Sequence, residues 1–68
     1  MTLKEIRISA GKTIKETADA LNVAVSSCYN YEQGTRQIDI KQVLILAELF
    51  DCSEKEIIES AINSRIDR

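Results

Sequence analysis

The chain contains no histidine, no tryptophan and no proline, and only two glycines, Gly11 and Gly34. Each absence removes a class of function or structure. Without histidine, neither a histidine-based catalytic triad nor a zinc site with imidazole ligands can be assembled from these residues. Two isolated glycines cannot form a loop that cradles phosphate, and no nucleophile and base are paired in a recognisable motif, so an enzyme is not expected. No cofactor is expected either. The longest uninterrupted apolar run, Val43 to Ala47, is far too short to span a membrane. Lys4, Glu5 and Arg7 break up the only stretch where a signal-peptide core would sit. A cytoplasmic chain without a membrane partner is the expectation.

With one phenylalanine and two tyrosines, the core must be aliphatic. Composition supports one: 44% of the residues are hydrophobic and 29% are charged, a globular profile and not a disordered one. Sixty-eight residues make a single domain, 1–68, close to the lower limit at which one core holds a chain folded unaided. Cys28 and Cys52 belong to no C-x-x-C motif and read as two small buried hydrophobes. The formal charge of −2 is uneven. Residues 1–41 carry six basic and five acidic groups, a net of +1, and residues 42–68 carry three and six, a net of −3. The amino-terminal part is therefore the better match for a polyanion.

Few breakers and long periodic segments predict an all-α chain. Four helix starts are announced by capping-box pairs: Thr2 with Glu5, Thr13 with Glu16, Asp39 with Gln42, and Ser53 with Glu56. Apolar residues follow each at helical spacing: Leu3, Ile6 and Ala10; Ile14, Ala18 and Leu21; Ile40, Val43, Leu44, Ala47 and Phe50; Ile57, Ile58, Ala61, Ile62 and Ile66. Gly11 ends the first helix, and Asn22 in a left-handed conformation ends the second. Between Asn22 and Gly34 lies one more short helix, with Cys28 and Tyr31 a turn apart on its inner face. A helix of about eight residues, a tight turn at Asn22 and a second short helix form the helix-turn-helix layout, over about 13–33. The last two helices occupy about 39–66.

From Leu3 to about Ile58 the chain resembles the helix-turn-helix domains of the phage Cro and repressor type, the Xre family. Leu3, Ile6 and Arg7 resemble the opening L-x-x-L-R, and Thr13, Glu16, Ala18 and Leu21 the second helix, T/S-Q-x-E-L-A-x-x-L. Asn22-Val23 stands where G-V is usual and Tyr31-Glu32-Gln33-Gly34 where I-E-x-G is usual. Ala47, Phe50 and Cys52 fall on A-x-x-L-x-V. The resemblance implies a five-helix bundle of the lambda-repressor-like type that binds double-stranded DNA, acting as a small bacterial or phage repressor. It also implies an ion pair between Arg7 and Glu32, joining the first helix to the end of the third. Departures fall at Ile14, where glutamine is usual, at Thr17 for leucine, at Ala24 for a capping Ser or Thr, and at Ile38 for proline. Loss of the cap at Ala24 costs the third helix about 1 kcal/mol.

The third helix carries no lysine or arginine, so any base reading there uses small neutral groups. Val25, Ser26 and Asn30 are the expected base readers: Asn30 can pair bidentately with adenine, and Val25 can pack on a thymine methyl. Backbone and flanking contacts are assigned to Thr13, Ser27, Tyr29, Thr35, Arg36, Gln37 and Lys41, because phosphate contacts supply affinity in this docking mode without direct sequence information. An exposed aliphatic stripe on the last two helices requires a cover, either the fifth helix folding back to complete a monomer's core or a second copy; a symmetric homodimer through Ile45, Leu49, Ile58, Ile62 and Ile66 is the favoured expectation. The sequence offers no small-molecule ligand. Two other functions fit the same residues: a protein-interaction module that kept the fold and lost DNA binding, and an antitoxin-like subunit whose apolar helices hold a different protein.

Overall fold

The computed structural model describes residues 1–66, the side chain of residue 66 excepted. Five helices appear among them: α1 (Leu3–Ser9), α2 (Ile14–Leu21), α3 (Val25–Gln33), α4 (Ile40–Leu49) and α5 (Glu54–Ile66). The starts of α1, α2 and α4 are full capping boxes built on Thr2, Thr13 and Asp39, as their spacing predicts. Ser53 caps α5 by accepting from the Glu56 N–H at 3.1 Å, but the Glu56 carboxylate takes the Ser53 hydroxyl at 3.3 Å instead of the backbone N–H. Glu5 and Glu16 each accept a backbone N–H from the cap, and these bonds hold both carboxyls below their ordinary value of 4.5. Asn22 ends α2 in the left-handed region at φ 58°, and only α3 begins, at Ala24, without a side-chain cap.

Leu3, Ile6, Leu21, Tyr31, Val43, Leu46, Ala47, Phe50 and Ile57 form one core. α5 packs across α1, α3 and α4, while α2 fits between α3 and α4. Thr17, in place of leucine, is buried, and its hydroxyl donates to the Thr13 carbonyl at 3.0 Å, so the polar atom is satisfied within its own helix. Cys28 is buried and Cys52 half-buried, and the two are not bridged.

Helix α4 is rotated from the expected facing, and Ile40, expected on its apolar line, is 82% exposed. Leu46, not Leu44, turns inward on α4; Leu44 is 48% exposed, and Ile45 and Leu49 are half-buried against the core. The premise that Ile45 and Leu49 form an open stripe is therefore corrected: this chain's own core already covers them in part. On α5 the inner line is Ile57, Ser60 and Ser64, all buried, while Ile58 and Ile62 stand outside. Serines fit there because their hydroxyls bond along the helix, Ser60 to the Ile57 carbonyl and Ser64 to the Ser60 carbonyl, both at 2.8 Å. Ser64 also accepts the N–H of Leu3 at 2.9 Å, so the far end of α5 caps the start of α1.

Gly34 lies in close contact with α5. It sits at φ 79°, and a Cβ placed on it would lie 2.7 Å from the Arg65 Cα and 2.8 Å from the Ser64 carbonyl. Gly11 has a similar φ of 73° but open space around it. Gly11→Ala should cost about 1–2 kcal/mol of backbone strain alone. Gly34→Ala should cost clearly more, because α5 must move as well, and equilibrium urea unfolding of the two variants will order them.

Candidate nucleic-acid interface

α3 presents two unlike faces. Cys28 and Tyr31 are buried, whereas Val25, Ser26, Tyr29, Asn30 and Gln33 are exposed, as 3.6-residue periodicity requires of a helix starting at Val25. Along the open face, Val25 stands over Tyr29 and Ser26 over Asn30, each pair four residues apart and so adjacent on the helix surface. The three expected base readers thus share one solvent-facing surface with Tyr29. That surface is uncharged.

Orientation of this face is set from behind. Arg7 Nε donates to Glu32 Oε2 at 2.5 Å, and the side chains are only 12% and 8% exposed. Arg7 Nη1 also donates to the Lys12 carbonyl at 3.0 Å, so one guanidinium ties α1, the α1–α2 turn and the end of α3 together. Burial, reinforced by the Glu32 charge and opposed by Arg7, pushes the Cys28 thiol up to about 11. At neutral pH it is a protonated packing group and not a nucleophile.

The flanking residues are less uniform than their sequence suggests. Thr13 accepts from the Glu16 N–H through Oγ1 at the start of α2, and its side chain also bonds the Glu16 carboxylate, so the capping box engages this hydroxyl. Thr35 directs both its N–H and its hydroxyl to the Asn30 carbonyl, at 3.1 and 3.2 Å, so it closes the end of α3. A phosphate contact from that hydroxyl would first need this bond released. Arg36 lies back over α3, its guanidinium 5.8 Å from the centre of the Tyr31 ring and donating to Ser27 Oγ at 3.4 Å. Ser27, expected among the flanking contacts, is thereby placed beside Arg36. Gln37 and Lys41 are exposed, and Ile14, the departure at the start of α2, is half-buried.

One positioning contact escaped the sequence reading. Gln42 Oε1 accepts the Asp39 N–H in the capping box, and its amide donates to the Tyr31 hydroxyl at 3.0 Å. The start of α4 is thus pinned to the inner face of α3. The usable signal was that a glutamine in a capping box, unlike a glutamate, keeps an amide group to donate elsewhere.

Two short helices joined through a left-handed Asn22, the second held by its inner face with its outer face open, define a helix-turn-helix domain. A family model described as helix-turn-helix matches residues 3–57. The chain belongs to this family, of the Xre and lambda-repressor-like type. It is similar to two proteins of Bacillus subtilis (strain 168), each described as an HTH-type transcriptional regulator. ImmR is 41% identical over 51 residues, covering 75% of this chain and 40% of ImmR. AnsR is 34% identical over 56 residues, covering 82% of this chain and 48% of AnsR. The chain thus spans less than half the length of either relative. No solved structure matches it.

Replacing Arg7 by methionine would strand the Glu32 carboxylate in a largely buried position, at a cost of roughly 3 kcal/mol. Pairing it with Glu32→Gln should recover a substantial part of that loss. Urea unfolding of the single and double variants measures both effects.

Proposed function

We propose that the chain is a sequence-specific DNA-binding domain of a transcriptional regulator, a small bacterial or phage repressor that occupies promoter DNA as a dimer. The observation that carries this reading is the open face of α3, where Val25, Ser26, Tyr29 and Asn30 lie together on a helix whose opposite side is fixed in the core. Family membership and the descriptions of ImmR and AnsR as transcriptional regulators support it.

On this reading Asn30 and Ser26 hydrogen-bond base edges, Val25 packs on a thymine methyl, and Tyr29 meets the sugar-phosphate backbone. Thr13, Ser27, Thr35, Arg36, Gln37 and Lys41 provide the flanks. Few cations are involved, so one domain binds weakly and with a modest salt dependence. Dimerisation supplies the missing affinity by placing two such helices about one DNA turn apart. The interface is centred on Ile58 and Ile62 of α5, which are 49% and 52% exposed, with the half-buried Ile45 and Leu49 of α4 assigned to it as well. The Ile66 side chain, assigned to the same interface, lies outside the described residues. No helix among the described residues is long and apolar enough to cross a membrane, and a cytoplasmic location accords with access to DNA.

With a duplex selected from a random pool, Asn30→Ala should weaken the specific complex by about tenfold or more while leaving non-specific binding nearly unchanged. Arg36→Ala should weaken both. An unchanged specific affinity for Asn30→Ala would show the docking register to be wrong, and absence of binding even at low salt would favour a protein-interaction module. For assembly, sedimentation equilibrium of Ile62→Glu should show a monomer under conditions where the parent chain is a dimer.

A further inference from the structure

Two clefts run along α5, and they differ in charge. The larger, of about 430 Å³, lies against Met1 and Ile6 and carries the carboxylates of Glu56 and Glu59. The smaller, of about 160 Å³, opens between the end of α3, the segment leading into α4, and α5, and no acidic residue lines it. Buried Tyr31 and Val43 and half-buried Ile38 and Ala61 line it, together with exposed Arg36 and Arg65 and with the exposed Ile58 and Ile62 of the proposed dimer interface. Among the described residues neither arginine is in an ion pair; Arg36 has only the Ser27 hydroxyl and the Tyr31 ring as partners. An apolar recess lined by two guanidinium groups and by no carboxylate among the described residues stands out on a chain whose net charge is −2.

We propose that this cleft binds a small apolar monocarboxylate, its hydrocarbon part against Ile38, Val43 and Ala61 and its carboxylate on Arg36 and Arg65. Size and charge together select this class. A cavity of about 150 Å³ takes up a benzene-sized molecule of about six carbons, which matches the apolar recess. Guanidinium is the side chain best suited to grip a planar carboxylate, often through two parallel hydrogen bonds. The acidic cleft on the other side of α5 would repel the same ligand. On the reading of Arg36 as a contact to the DNA backbone, an occupied cleft would also lower DNA affinity. That consequence rests on the proposed function; binding itself requires only that the cleft be open, and because Ile58 and Ile62 line it, the ligand competes with a dimer formed through those residues.

The test is therefore run without DNA. Sodium hexanoate is titrated into the full chain carrying ¹³C-labelled methyl groups, and the Ile38, Val43 and Ala61 methyl signals are followed. Saturable shifts at millimolar hexanoate are expected. Hexan-1-ol, which keeps the tail without the charge, should bind about tenfold more weakly or worse. Arg65→Gln keeps the Cβ and Cγ that pack beside Gly34, and it should weaken hexanoate binding by a similar factor while leaving the unfolding midpoint unchanged. Absence of a saturable shift would overturn the proposal, as would equal binding of the alcohol and the acid. Shifts of the same methyls on dilution, with none on adding hexanoate, would mean that a second copy of the chain fills the cleft, and would overturn it too.

Discussion

The rest of the domain depends on one guanidinium. Arg7 links α1 to Glu32 at the end of α3 and, through the Lys12 carbonyl, to the turn that launches α2. Both helices of the helix-turn-helix unit are thereby referenced to α1. An ion pair this deeply covered contributes little net stability, because desolvation offsets most of the Coulombic attraction. Its value lies in geometry: a charge pair in a low-dielectric setting tolerates few alternative arrangements, and an unpaired Glu32 beside Cys28 would be costly. The outward face of α3 can be small and neutral because its aim is determined from the inside.

A second constraint acts from the opposite end of the chain. Ser60 and Ser64 let α5 lie close to α1 and α3, and Gly34 leaves room for the Arg65 backbone where any side chain would collide. α3 is thus held by Arg7 through Glu32, by Gln42 through Tyr31, and by α5 across Gly34. These three attachments come from α1, α4 and α5, so no single neighbouring helix fixes α3. The uncapped start at Ala24 is tolerable in that setting, since tertiary packing outweighs the capping energy it forgoes.

Much of this was legible in the sequence. The caps at Thr2, Thr13 and Asp39, the left-handed Asn22 and Gly34, and the inward Cys28 and Tyr31 all follow from local rules that act within one turn of helix. What was not legible was the rotation of α4 about its axis and the polar make-up of the inner line of α5. Val43 to Ala47 is apolar throughout, so periodicity cannot choose between Leu44 and Leu46 for the inner position. On α5 the buried line is made largely of serine, a residue type that sequence reading assigns to the surface until its hydroxyl partners are known. Likewise Thr35 and Ser27 read as open polar groups, and only the fold shows one closing the end of α3 and the other beside Arg36. Long-range packing decided these cases, and local pattern does not contain it.

The account places sequence reading on the uncharged face of α3 and the phosphate contacts on its flanks. Amide chemical-shift mapping of the chain on a selected duplex tests that division most directly. The largest changes are predicted at Val25, Ser26, Tyr29 and Asn30, with a second set at Thr13 and from Thr35 to Gln37. Perturbations confined to the outer face of α5 around Ile58 and Ile62, with α3 silent, would contradict it.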